Sequence, residues 1–132
     1  MIHQRVLVID NEEDQLAIMR EIIENAGYQV TTVDNVSEAL RWVEEGQFDL
    51  VLTDLIMPDM EGTELCERIK SIRSDIIVYA FSGHLKLYDM HKLERAGFSG
   101  YIAKPVGIKE VEQAIEDAFA LARENRQRQE IP

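Results

Sequence analysis

One cysteine is all this sequence contains, so no disulfide can form within it. That residue, Cys66, falls on the apolar stripe of a predicted helix, where a buried structural thiol is the default. Basic residues are scarce: 14 Lys and Arg stand against 25 Asp and Glu, for a net charge of −11. A surface of that sign repels a phosphate backbone or an anionic membrane, which argues against direct nucleic-acid and membrane binding. Long apolar runs are missing too, and none approaches the roughly 20 residues that span a bilayer. The start, Met1-Ile2-His3-Gln4-Arg5, does not have the layout of a secretory signal. No internal repeat or low-complexity stretch interrupts the chain. These absences leave a soluble, cytoplasmic domain as the simplest expectation.

What is present fits one domain. A chain of 132 residues buries a real core without staples, and 45% hydrophobic with 30% charged residues is ordinary for a globular protein. Val6-Leu7-Val8-Ile9 is a short continuous apolar run, the pattern of a strand buried on both faces. Leu16, Met19, Ile22, Ile23 and Ala26 then share one face of a helix that Gly27 stops. Tyr28 to Val33 reads as a second strand, more polar and so nearer an edge. Asp34, Asn35 and Ser37 offer caps for a helix with Ala39, Leu40 and Val43 inward. Phe48 to Thr53 is the third strand, Gly62 to Ile72 the third helix, and Ile76 to Phe81 the fourth strand. His84 to Ala96 is predicted as one helix, with Leu87, Tyr88, Met90 and Phe98 mostly core and part of that group open to exposure on the face of the fourth helix, fifth strand and fifth helix. Gly100 to Ala103 is a fifth strand. Val111, Ala114, Ile115, Ala118 and Ala122 mark a last helix. Residues 123–132 are polar and read as a frayed tail or linker, which puts the domain at 1–122. Five strands alternating with five helices predict an α/β fold, a doubly wound parallel sheet covered on both faces.

The polar residues of interest all fall at carboxyl ends of strands: Asp10 after the first, Asp54 after the third, Ser82 at the fourth, Lys104 after the fifth. In one parallel sheet these ends share an edge, where ligands bind in the crevice between loops. Taken alone, Asp54 is a candidate nucleophile or metal ligand, or an Asp that starts a turn. The partners decide. Two carboxylates with a nearby amide, Asn11, make a hard-oxygen site suited to Mg²⁺. A hydroxyl and a lysine beside them can bind the oxygens of a phosphoryl group, and Asp carboxylates do accept phosphoryl groups. The constellation suits a covalent aspartyl phosphate.

Ile9-Asp10-Asn11-Glu12, Asp54-Leu55-Ile56-Met57-Pro58-Asp59-Met60-Glu61-Gly62, Phe81-Ser82-Gly83 and Tyr101-Ile102-Ala103-Lys104-Pro105 together resemble the receiver domain of two-component response regulators. The resemblance runs from Arg5 to Ala122 and implies a flavodoxin-like fold with strand order 2-1-3-4-5. Carried over residue by residue, it implies that Asp54 is the phosphoacceptor. Asp10, Asn11, Asp54 and the Ile56 backbone carbonyl would hold Mg²⁺. Lys104 and Ser82 would meet the phosphoryl oxygens, Tyr101 would be an aromatic switch, and Pro105 would follow a cis peptide bond. The implied donor is a sensor histidine kinase or a phosphotransfer protein. The implied recipients are a downstream output domain or target protein at the face of the fourth helix, fifth strand and fifth helix, where a phosphorylation-dependent homodimer is a further candidate. Such a domain catalyses only its own phosphorylation and dephosphorylation and is not otherwise an enzyme.

One residue departs from the family pattern. The second of the two acids expected after the first strand is Asn11, which removes one formal charge from the metal site and predicts weaker Mg²⁺ binding. Ile56 and His84 occupy the two variable positions that tune dephosphorylation. Two rival readings follow: a phosphate-independent binding module of the same fold, which Asn11 favours, and an aspartyl phosphohydrolase, which Ile56 disfavours because those enzymes carry a second Asp there. His3, His84 and His91 show no metal-ligand spacing and read as surface histidines.

Overall fold

A computed structural model describes residues 4–104 and 107–130. The chain alternates strand and helix: β1 (Arg5–Ile9), α1 (Glu13–Asn25), β2 (Gln29–Val33), α2 (Val36–Glu45), β3 (Leu50–Thr53), α3 (Gly62–Ile72), β4 (Ile77–Ser82), α4 (Met90–Ala96), β5 (Gly100–Ala103) and α5 (Ile108–Glu130). All five strands are parallel, in the order β2-β1-β3-β4-β5, as predicted.

Alternation along each strand builds two cores. Leu7 and Ile9 of β1, Val51 of β3, and Val78 and Ala80 of β4 pack against α2, α3 and α4. Val6 and Val8, Leu50 and Leu52, and Ile77, Tyr79 and Phe81 point the other way, against α1 and α5. A strand wetted on neither face has no reason to alternate polar with apolar, so the central strands read as continuous apolar runs. The edge strands differ: most of β2 is half-buried or exposed, and in β5 only Ile102 is buried. Cys66 lies within the first core, and burial pushes its thiol up to about 12. No helix among the described residues is long and apolar enough to cross a membrane.

Two predicted elements are redrawn. The helix expected over His84 to Ala96 is broken: Leu85–Leu87 forms a single 3-10 turn, Tyr88 is extended, and α4 begins at Met90. The break comes from Asp89, whose carboxylate accepts from the His91 N–H at 2.9 Å and caps a new helix. Leu87 is consequently 77% exposed rather than core, while Phe98 is buried and Tyr88 and Met90 pack partly on the first core. At the other end, α5 does not fray after Ala122 but continues to Glu130. Its Arg126 reaches down to two carboxylates at the amino ends of the strands, Asp75 at 3.3 Å and Asp49 at 3.8 Å. Asp49 is buried and also accepts from the Gln4 N–H at 3.0 Å. His84 and His91 are exposed, as expected. His3 and the peptide before Pro105 lie outside the described residues.

Candidate functional site

Strand register delivers the site. Ile9 pairs with Thr53, so the next residues, Asp10 and Asp54, emerge side by side at the same edge. The Asp54 N–H donates to the Ile9 carbonyl at 2.9 Å and the Asp10 N–H to the Val33 carbonyl at 3.2 Å, extending the sheet by one residue under each carboxylate. Ser82 pairs with Ala103, and the Lys104 N–H donates to the Ser82 carbonyl at 3.0 Å, which carries Lys104 to that edge.

The side chains then meet. Lys104 Nζ lies 2.6 Å from Asp10 Oδ2 and 3.5 Å from Asp54 Oδ2, bridging the two carboxylates. Asp10, Asp54 and Ser82 are all buried. Burying charge is costly unless it is paired and hydrogen-bonded, and the remaining acceptors are accordingly used. Asp10 Oδ1 accepts from the Glu12 N–H at 3.0 Å. Asp54 Oδ1 accepts from the Leu55 N–H at 2.7 Å and, more weakly, from the Ile56 N–H at 3.4 Å. The Lys104 ammonium also stands 4.6 Å from the centre of the Phe81 ring, a cation–π contact that aims it along the crevice. Ser82 Oγ accepts from the His84 N–H at 3.0 Å, within its own loop.

Gly62 explains how the loop after Asp54 stays close. A Cβ there would come 2.5 Å from the Leu55 Cα and 2.9 Å from its carbonyl oxygen, and the Gly62 N–H uses that approach to donate to the Leu55 carbonyl at 2.8 Å. Only glycine lets α3 start so near the candidate acceptor.

The donor chemistry fits a hard divalent cation. Two buried carboxylates share one close ammonium, which leaves the pair net negative, and oxygen is the ligand type that Mg²⁺ takes. Asp10 and Asp54 would supply the charged oxygens. Among the described residues no group of three or more His, Cys, Asp or Glu side chains is placed to hold a metal. The exposed Asn11 and the Ile56 backbone, in the loop that follows Asp54, are the candidates the sequence offers for further ligands.

Tyr101 stands apart from the crevice. It is 38% exposed, and its hydroxyl contacts Glu94 Oε1 at 3.4 Å, which places the ring on the outer face beside α4. Two contacts escaped sequence reasoning. Phe81 reads only as a buried strand residue, and nothing in its neighbours announces the lysine above it. Tyr88 sends its hydroxyl to the Leu55 carbonyl at 3.4 Å, across 33 residues of chain.

Comparison with known proteins agrees with this fold. The family model described as the response regulator receiver domain matches residues 6–116. The DNA-binding transcriptional regulator NtrC of Azospirillum brasilense is 34% identical over 114 residues, covering 86% of this chain and 24% of that protein. The chain thus spans about a quarter or less of the first curated relatives it matches. A CheY-like response regulator receiver domain protein from Methanospirillum hungatei JF-1 superposes with a TM-score of 0.84 at 31% identity, covering 92% of this chain and 98% of that one. The beryllofluoride-activated NtrC4 receiver domain dimer gives 0.83 at 28% identity, covering 91% and 99%. With its strand order and its sequence in agreement, the chain belongs to the response regulator receiver domain family.

Proposed function

We propose that this domain is a phosphorylation switch with Asp54 as the phosphoacceptor. The carrying observation is the convergence of Asp54, Lys104 and Ser82 at one strand edge. An Asp54 carboxylate oxygen attacks the phosphorus of a phosphohistidine on a sensor histidine kinase or phosphotransfer protein. The new O–P bond forms as the P–N bond breaks, and the bonding pair leaves with the imidazole. Asp10, Asn11, Asp54 and the Ile56 carbonyl would hold Mg²⁺, whose role is to neutralise charge on the transferring group. Lys104 gives up part of its hold on Asp10 and takes a phosphoryl oxygen. Ser82 exchanges the His84 N–H for the same group, pulling its loop inward.

That movement vacates space for Tyr101, which leaves Glu94 and turns inward. The surface of α4, β5 and α5 changes with it and is read by an output domain, a target protein or a second copy of the domain. The domain works in the cytoplasm and turns over no metabolite beyond its own phosphorylation and hydrolysis. Residues 1–122 hold all the proposed site residues. Asn11 supports the rival reading of a binding module that signals without phosphate.

Beryllofluoride, a mimic of the phosphoryl group, separates the two. Added with Mg²⁺, it is expected to move the backbone amide resonances of Ser82 to Leu87 and of Tyr101, and to leave an Asp54→Asn variant unchanged. A wild-type spectrum that stays still would overturn the switch and leave the phosphate-independent module.

A further inference from the structure

Tyr88 has no part in the proposed transfer, yet it reaches the loop that carries the acceptor. It lies in the extended link between the 3-10 turn and α4, half-buried against the first core. Its hydroxyl donates to the Leu55 carbonyl at 3.4 Å, and the Gly62 N–H donates to the same oxygen at 2.8 Å. A carbonyl oxygen has two lone pairs, so both donors can be accommodated.

The peptide unit that owns this carbonyl also owns the Ile56 N–H. A trans peptide is planar and directs its C=O and N–H to opposite sides. Fixing the oxygen from outside therefore aims the N–H, and that N–H lies 3.4 Å from Asp54 Oδ1. The chain of contacts runs from the Tyr88 hydroxyl to the Leu55 carbonyl, through the peptide, to the Ile56 N–H and the Asp54 carboxylate. That N–H joins the Leu55 N–H, which belongs to the preceding peptide and holds Oδ1 at 2.7 Å, and Oδ2 is left toward Lys104.

We infer that Tyr88 is a positioning residue for Asp54, acting through the Leu55–Ile56 peptide to set which carboxylate oxygen faces the incoming phosphoryl group. The inference rests on Asp54 as phosphoacceptor, and it adds a physical link between the segment after Ser82 and the loop after Asp54. Burial, Glu61 and Asp54 all push the Tyr88 hydroxyl up, so it remains a protonated donor through the neutral range.

Tyr88→Phe keeps the ring and its packing and removes only the donor. Two readouts test it on the whole chain. Without any phosphodonor, the Ile56 amide proton is expected to shift relative to wild type, while the denaturation midpoint stays close. With acetyl phosphate and Mg²⁺, the maximal rate of adduct formation is expected to fall about three- to ten-fold, the range of one neutral hydrogen bond, with half-saturation by the donor unchanged. Tyr88→Leu, which also loses the ring, is expected to show the same amide shift together with a lower midpoint. An unmoved Ile56 amide in Tyr88→Phe overturns the inference whatever the rate, and so does a wild-type rate beside a shifted amide. If wild type takes up no phosphoryl group from acetyl phosphate and its spectrum also stays still with beryllofluoride, the phosphoacceptor reading fails, and a shifted Ile56 amide then still supports the hold of Tyr88 on the loop.

Discussion

At the scale of single residues, the crevice is a problem of charge. Asp10 and Asp54 would repel each other in a dry site, and Lys104 at 2.6 and 3.5 Å resolves this by standing between them. The same lysine is the natural hand for a phosphoryl oxygen, so resting-state pairing and proposed chemistry draw on one side chain. Asn11 is expected to weaken the proposed metal site. Restoring a carboxylate there by Asn11→Asp is expected to tighten Mg²⁺ binding by about ten-fold, since charge count is a main lever on affinity at hard-oxygen sites. Isothermal titration checks this, and an affinity no better than wild type would remove the explanation. Asp10, Asp54, Ser82 and Lys104 were legible in the sequence because each ends an apolar run, and a parallel sheet brings such ends together. Tyr88 was not. Its partner is a backbone carbonyl far away in the chain, and no residue type marks a carbonyl as a target.

Among elements, the differences from expectation arise where a single polar side chain overrides an apolar period. Leu85, Leu87, Tyr88, Met90 and Leu93 suggest one helix, but Asp89 caps a second one in its middle. A cap and an interior Asp look alike in a pattern of hydrophobic spacing. The end of α5 shows the reverse. Its last turns have little apolar content, so periodicity predicts fraying, yet Arg126 docks on Asp49 and Asp75 at the floor of the sheet. Arg73 completes the cluster, bonding the Phe48 carbonyl at 2.8 Å and lying 3.5 Å from Asp75. Arg126→Gln is expected to cost about 1 kcal/mol, because partly exposed ion pairs contribute little while a buried carboxylate that loses a cation contributes more. Amide exchange over residues 123–130 should accelerate with it. Exchange as slow as wild type would show that the pairs do not hold the helix end.

For the molecule as a whole, the doubly wound sheet separates support from chemistry. Both cores run along β1, β3 and β4, and the polar site residues follow at the carboxyl ends, along a rim of loops. Side chains at that rim are set by register rather than by their own packing, which is why a fold this regular can carry a site legible from strand ends alone. The net charge of −11 adds a long-range consequence. A domain so acidic discourages free anions, so an anionic phosphodonor is expected to approach the proposed acceptor most readily where cations offset the repulsion. The most direct measurement is the intact mass of the protein after incubation with acetyl phosphate and Mg²⁺, with Asp54→Asn alongside. One phosphoryl adduct on wild type, lost on chelation of the metal and absent from the variant, is the expected result. An adduct of equal yield on Asp54→Asn would contradict the assignment of the acceptor.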